Sequence, residues 1–283
     1  MNYQIREMRR DELDLAVEWA ALEGWNPGLH DADCFYATDP GGYLVGLLDG
    51  EPISSISVVK YGSYAFLGFY IVKPEHRGKG YGLQIWEEGM RRLDGCDVGL
   101  DGVLAQTAKY EKSGFRLAYQ NSRYQGVAVG GGNTDPRIVD VAELNFDELM
   151  AYDASVFSMP RPGFLGCWLN RLGNMVLAIR AQGQIAGYTV LRVCREGYKV
   201  GPLFADNADF ADALLTALLN RAPAGAPIFL DVPGEAQNPA ATELAQRHGM
   251  QSIFSTARMY RMAGSQIDFP LHRWFGVTTL ELG

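Results

Sequence analysis

The chain has 283 residues, 47% of them hydrophobic, which is enough for two domains of ordinary size that each bury a core. Its formal net charge of −8 at pH 7 argues against a surface that follows nucleic-acid phosphates, so no nucleic-acid partner is expected. The N-terminal stretch carries no apolar leader, and no segment is long enough to cross a bilayer. These features predict a cytoplasmic protein without a membrane partner.

The hydrophobic pattern of residues 1–130 predicts an α+β unit, in which an antiparallel meander precedes further helices and strands. The predicted strands are 3–7, 43–48, 53–59, 64–72, 98–100 and a last run ending near 129. The predicted helices begin at Asp11, near Ala32, near Gly80 and near Leu104.

The stretch from Val129 to Pro136 has three consecutive glycines followed by turn formers and a proline, a composition typical of linkers. We therefore predict a first domain at 1–130, a linker at 131–136 and a second domain at 137–283.

The second half repeats the order of the first, as near-constant offsets indicate. Three pairs of anchors support the match: Gly50 with Gly183, Val72-Lys73-Pro74 with Val200-Gly201-Pro202, and Ser113-Gly114-Phe115 with His248-Gly249-Met250. After the second Val-x-Pro, residues 203–211 contain neither glycine nor a cation.

The four cysteines are widely spaced and form no C-x-x-C pair. This pattern suggests neither a zinc site nor a disulfide framework, so we expect buried thiols in a reducing cytosol and no metal. They are Cys34, Cys96, Cys167 and Cys194.

Residues 72–82 read VKPEHRGKGYG and place three glycines at alternate positions just before a predicted helix. Free N–H groups, the helix dipole and the cations Arg77 and Lys79 suit a phosphate. The spacing fits neither the dinucleotide fingerprint nor a P-loop. The alternative is that the glycines only make a tight connection between strand and helix.

This stretch resembles the coenzyme A pyrophosphate loop of the Gcn5-related N-acetyltransferases, written V-x-P-x-x-[RQ]-G-x-G-x-[GA]. The run from Tyr110 to Phe115, YEKSGF, is similar to the family's second motif, Y-E-K-x-G-F. The resemblance implies a mixed sheet with flanking helices in two tandem copies, with acetyl-CoA as co-substrate and the second copy degenerate. It assigns the coenzyme to Ile71, Val72, Arg77, Gly78, Lys79, Gly80, Tyr81 and Gly82.

The same resemblance makes Tyr110 the acid that protonates the departing thiolate; the alternative is a core tyrosine. Two departures stand out. Val103 occupies a position where the family often has Asn, and residues 67–71 offer no carboxylate as a base. The general base is therefore unassigned.

The loop at residues 23–33 lies where this fold walls the acceptor pocket. Trp25 offers an aromatic face for a cation, Asn26 an amide and Asp33 a negative charge, all suited to a protonated amine. Asp101, just after a predicted strand, is a further candidate. The alternatives are core packing for Trp25, helix capping for the carboxylates and an ordinary turn at Asp101.

The leading hypothesis is an N-acetyltransferase that moves acetyl from acetyl-CoA to a primary amine of a small molecule or peptide by direct attack. The alternative is a catalytically weak sensor of acetyl-CoA, or an interaction module. The sequence indicates neither the acceptor nor the oligomeric state.

Overall fold

The computed structural model describes residues 2–132, 135–264 and 268–283. Its strands are β1 (Tyr3–Glu7), β2 (Tyr43–Leu48), β3 (Glu51–Tyr61), β4 (Tyr64–Val72), β5 (Asp97–Val103), β6 (Arg116–Val127), β7 (Ile138–Asp140), β8 (Met175–Ala181), β9 (Gln184–Val193), β10 (Tyr198–Ala205), β11 (Pro227–Pro233), β12 (Gln251–Arg261) and β13 (Trp274–Gly276). Its helices are α1 (Arg10–Leu22), α2 (Asp31–Thr38), α3 (Tyr81–Arg92), α4 (Thr107–Lys112), α5 (Phe146–Phe157), α6 (Pro162–Trp168), α7 (Ala208–Arg221) and α8 (Pro239–Arg247). The predicted α+β class is confirmed.

The two halves have the same order of elements from a hairpin onward. The hairpin β2–β3 corresponds to β8–β9, and β4, α3, β5, α4 and β6 correspond to β10, α7, β11, α8 and β12. The predicted duplication is therefore confirmed; β7, α5 and α6 also follow the order of β1, α1 and α2, and β13 is added in the second half.

One anchor of the repeat is misaligned. Val200-Gly201-Pro202 lies inside β10, where the pairing with β9 shifts register, and not at the end of the strand. Proline is tolerated at such a bulge, so the Val-x-Pro similarity arose in a different structural position. The true counterpart of the glycine loop is the pair Asp206-Asn207, which joins β10 directly to α7.

The halves exchange their last long strands within one continuous sheet of order β1-β2-β3-β4-β5-β12-β6-β11-β10-β9-β8-β7. Strand β12 of the second half pairs with β5 of the first, and β6 of the first half pairs with β11 of the second. Each half thus covers a sheet edge that the other would leave exposed.

Two buried arginine–aspartate pairs lie at these exchanged strands. Arg258 of β12 donates two hydrogen bonds to Asp101 of β5, with N–O distances of 3.0 and 2.6 Å. Arg123 of β6 donates in the same way to Asp231 of β11, at 2.7 and 2.9 Å. Both pairs join one half to the other.

We expect Asp231→Asn to destabilise the protein by about 3–5 kcal/mol, because it leaves the buried Arg123 charge without its partner. Burial opposes ionisation of Asp231, but Arg123 outweighs it, so the pKa of this carboxyl lies below its ordinary value. The stability gained is therefore present above about pH 4 and lost as the pH falls through the folded-state pKa. Urea unfolding measures the effect.

The exposed Asp94→Asn is the matched control and should change stability by less than about 0.5 kcal/mol. Equal stability of both variants would show that the Arg123–Asp231 pair does not hold the exchanged strands.

Cys34 of α2 and Cys167 of α6 form a disulfide across the two halves, with Cα atoms 5.1 Å apart. The expectation of four thiols is therefore wrong for this pair. The partners are 133 residues apart in sequence and meet only because α2 packs on α6, which spacing alone does not reveal. Cys96 and Cys194 are buried free thiols.

Candidate active site

The site lies in a cleft where β4 separates from β5. The parallel ladder joins only Tyr64–Leu67 to Asp97–Leu100. Beyond it, the pairing of β4 with β3 shifts register, and Phe69 adopts a φ of 44°. A bulge bends its strand away from a neighbour, so residues 68–72 turn one backbone edge to the cleft. An extended ligand can pair with such an edge as an added strand.

Two cavities open into this cleft. The larger is a groove of about 700 Å³ bordered by the glycine loop, α3 and α4. The smaller cavity, of about 70 Å³, lies between the separating strands, β12 and the C-terminal segment at 277–283. Both are lined by Trp25, Tyr70, Val103 and Tyr110, so these four residues mark the junction.

The glycine loop presents open backbone to the groove. Gly78 and Gly80 have φ values of +74° and +87°, and a Cβ at either would meet nothing within 4 Å. Gly80 is the N-cap of α3, so the free N–H groups of the first helical turn follow it directly. A ligand that accepts hydrogen bonds can therefore approach the backbone closely.

The groove also carries charge suited to an anion. Arg77, Lys109 and Lys112 line it, against the single carboxylate of Glu23 among its lining residues. Arg77 pairs with Glu23 and donates through Nε to the Val72 carbonyl at 2.8 Å. The two lysines come from α4 and were not among the predicted residues, although Lys109 directly precedes Tyr110 and Lys112 lies within the second motif.

The structure brings most of the predicted coenzyme residues together. Those that line the groove are Ile71, Val72, Arg77, Gly78, Gly80 and Gly82. The other two make contacts elsewhere: Lys79 donates to the Glu75 carbonyl at 2.8 Å, and the Tyr81 ring packs 4.8 Å from that of Tyr3.

Tyr110 lies at the junction of the two cavities, where α4 places it against β5. Gly102 makes room for it, since a Cβ there would lie 2.3 Å from the ring. Burial raises the pKa of Tyr110 to about 12, so the phenol is protonated at neutral pH. Its hydroxyl makes no hydrogen bond within the described residues, which leaves the proton free for a ligand.

Two of the four predicted acceptor residues line the smaller cavity, and the other two line neither cavity. Trp25 and Asp101 line the smaller cavity, but the Asp101 carboxylate is occupied by Arg258, Asn121 and Thr256.

Asn26 and Asp33 lie outside these two cavities. The Asn26 amide binds the backbone of Glu196 in the second half, at 2.9 and 3.1 Å. Asp33 forms ion pairs with Arg10 and Arg171. These side chains therefore connect parts of the protein, and neither lines the groove or the smaller cavity.

The C-terminal segment supplies lining residues that were not among those predicted from the sequence. Leu280 and Glu281 border the smaller cavity, as does Phe254 of β12. The Glu281 carbonyl passes so close to β4 that a Cβ at Gly68 would lie 2.2 Å from it. Only the exchange of strands and the path of the last residues bring these groups to the first half.

The corresponding cleft of the second half is filled by the protein itself. Strands β10 and β11 are parallel neighbours only over Tyr198–Val200 and Ile228–Leu230. Beyond this ladder β13 pairs with β10, and Val277 N–H donates to the Asp231 carbonyl at 2.9 Å. The space that is open in the first half is thus occupied by a strand in the second.

Within the described ranges, no three His, Cys, Asp or Glu side chains come together as a metal site. None of the helices in that part of the chain is long and apolar enough to cross a membrane.

Comparison with known proteins gives matches over both halves. The model of the "Acetyltransferase (GNAT) family" matches residues 3–115, and that of the "Acetyltransferase (GNAT) domain" matches 149–275. The holothin acyltransferase of Pseudoalteromonas sp. (strain SANK 73390) is 32% identical over 274 residues, covering 96% of this chain and 92% of its own.

Solved structures share the fold. A Pyrococcus horikoshii protein superposes with a TM-score of 0.82 at 20% identity, covering 99% of this chain and 96% of its own. A tandem GNAT protein from the clavulanic acid biosynthesis pathway superposes with a TM-score of 0.64 at 12% identity, covering 94% and 100%.

Proposed function

Because the chain belongs to the Gcn5-related N-acetyltransferase (GNAT) family, we propose that it transfers acetyl from acetyl-CoA to a primary amine by direct attack. The observation that carries the proposal is the junction at Tyr110. There a groove with free N–H groups and cations meets a small cavity of largely apolar lining.

The chain's own residues fit the coenzyme. Acetyl-CoA supplies an acetyl group activated as a thioester. The glycine loop with Arg77, Lys109 and Lys112 would hold its pyrophosphate, and the open edge of β4 at Ile71 and Val72 would pair with the pantetheine arm.

Tyr110 is suited to act as the general acid. When the amine displaces the thiol, the sulfur leaves as an anion that needs a proton. A phenol with a pKa near 12 keeps its proton at neutral pH, so the acid is present when the thiolate forms. The thiolate is a weaker base than the phenolate, and the transfer is completed when the phenolate takes the surplus proton of the new amide nitrogen. Trp25, which lines the same junction, would position the acceptor.

We propose a division of labour between the halves. The first domain, 1–130, binds one coenzyme per chain, because β13 fills the equivalent cleft in the second. The second domain, 137–283, would complete the acceptor site through β12 and the C-terminal segment. The linker at 131–136 remains a prediction; Asn133 and Thr134 lie outside the described residues.

A small-molecule acceptor is favoured over a peptide. The holothin acyltransferase, whose name gives holothin as its substrate, matches this chain over 92% of its own length. The smaller cavity, about 70 Å³, also suits a compact group better than an extended peptide.

The rival proposal is a sensor of acetyl-CoA with weak or no catalysis, which Val103 and the absence of a carboxylate in residues 67–71 of β4 favour. Incubation with acetyl-CoA and a panel of small primary amines, with free thiol recorded, separates the two. We expect amine-dependent thiol release. Coenzyme binding by calorimetry without thiol release from any amine would favour the sensor.

A further inference from the structure

A buried carboxylate from the end of the chain lines the candidate acceptor cavity. Glu281 is 3% exposed and shares this cavity with Trp25 and Tyr110. Its position is fixed by the backbone: Glu281 and Leu282 N–H both donate to the Thr279 hydroxyl, at 3.2 and 2.9 Å. The Tyr61 hydroxyl donates to the Leu282 carbonyl at 3.2 Å.

Two carboxylates line this cavity, and only one is available. Asp101 is held by the bidentate Arg258 and by two further donors. The Glu281 side chain makes no hydrogen bond or ion pair within the described residues. It therefore has free acceptor atoms, although a buried carboxylate ordinarily binds partners.

The surrounding charges accommodate such an anion. Arg123, Arg192 and Lys199 all interact electrostatically with Glu281. Arg123 and Arg192 are neutralised at close range by Asp231 and Asp31, so they add little net repulsion toward a cationic ligand. The phenols of Tyr70 and Tyr110, whose pKa values burial raises, line the same cavity.

We propose that Glu281 is the general base that deprotonates the acceptor ammonium. The role rests on the proposed function and supplies the base that β4 lacks. The C-terminal segment that carries Glu281 also crosses the cleft of the second half. Catalysis would therefore depend on both halves.

Every proton in the proposed reaction is accounted for. The ammonium gives one proton to Glu281, which passes it to solvent, and the neutral amine attacks the thioester carbonyl. The C–S bond then breaks, Tyr110 protonates the thiolate, and the nitrogen returns its surplus proton to the Tyr110 phenolate. One amide, one thiol and one free proton result.

Kinetics of Glu281→Gln with acetyl-CoA and two amines, benzylamine and aniline, from about pH 6 to pH 10 test the proposal. Benzylamine is an ammonium at neutral pH and aniline is not. We expect kcat/KM for benzylamine to fall by roughly 10²–10⁴ at pH 7, with the deficit shrinking about tenfold per pH unit as free amine accumulates. For aniline, we expect a change of less than about threefold.

The exposed Glu235→Gln variant is the control, and its kcat/KM should match that of the wild type for both amines. If Glu281→Gln does not fold, as judged by thermal melting, Glu281→Asp keeps a carboxylate and should retain the wild-type pH profile at reduced rate. A loss that is the same for both amines at every pH, or no loss, would overturn the role. Wild-type protein that releases thiol with no amine of the wider panel would overturn the proposed function, and this role with it.

Discussion

Tyr110→Phe should lower kcat by roughly 10²–10⁴ while the affinity for coenzyme A stays near that of the wild type. The substitution removes the hydroxyl and keeps the ring that fills the space over Gly102. Since the hydroxyl makes no hydrogen bond within the described residues, its loss costs no internal contact there. Steady-state kinetics on an amine found by thiol release, with calorimetry for coenzyme A, provide the measurement.

Tyr70→Phe is the informative comparison, since Tyr70 lines the same junction. The Tyr70 hydroxyl oxygen lies next to α3, since a Cβ at Gly82 of that helix would be 2.9 Å from it. We therefore expect Tyr70→Phe to weaken coenzyme binding more than it lowers kcat. An unchanged kcat for Tyr110→Phe, with chemistry shown to be rate-limiting, would remove Tyr110 from the mechanism.

The pH profile gives an independent check. Because burial raises the pKa of Tyr110 to about 12, the phenol remains protonated through the range in which most amines lose their proton. Tyr110 should thus contribute no falling limb to the wild-type profile below about pH 10.

Most of the elements and the groove proposed for the coenzyme could be predicted because their signals are local. The alternation of apolar residues fixes the strands, and the groove is built largely from two continuous stretches, 71–83 and 103–113. Residues within such stretches keep their neighbours whatever the rest of the chain does.

The acceptor side could not be predicted in the same way. Its smaller cavity joins Trp25 and Asp101 to Phe254 and Glu281, which meet only through the exchange of β6 and β12. The disulfide between Cys34 and Cys167 depends on the same packing of the halves. No periodicity encodes which half a strand will join. From the sequence alone, Asn26 and Asp33 are therefore as suitable for binding an acceptor as Trp25.

The two halves differ at corresponding clefts, and one segment accounts for both arrangements. Residues 274–277 occupy the cleft of the second half, where the Thr278 carbonyl would lie 2.3 Å from a Cβ at Gly201. The chain then continues to the first half and passes over Gly68. The same segment therefore fills the cleft of the second half and lines the smaller cavity beside the first half.

Because the cleft of the second half is filled, we expect one coenzyme site per chain. We also expect Gly80→Val to abolish binding at that site. Calorimetry of the wild type with coenzyme A should give a stoichiometry near one. In Gly80→Val, the added methyl groups enter open space at the start of α3, where a phosphate would approach the backbone. Each lost charge-assisted hydrogen bond costs about 1.5–3 kcal/mol, so the loss of two should lower the affinity by at least roughly 10²-fold.

Backbone strain is the competing explanation, since Gly80 has a φ of +87°. Gly183→Val is the matched control: Gly183 has a φ of +82°, also has open space at its Cβ, and lies in the β8–β9 turn. Both variants should lose similar stability, about 1–2 kcal/mol for a left-handed residue, but only Gly80→Val should lose coenzyme binding. A folded Gly80→Val protein that binds coenzyme A as the wild type does would refute the phosphate site, and two equivalent sites per chain would refute the closure of the second cleft.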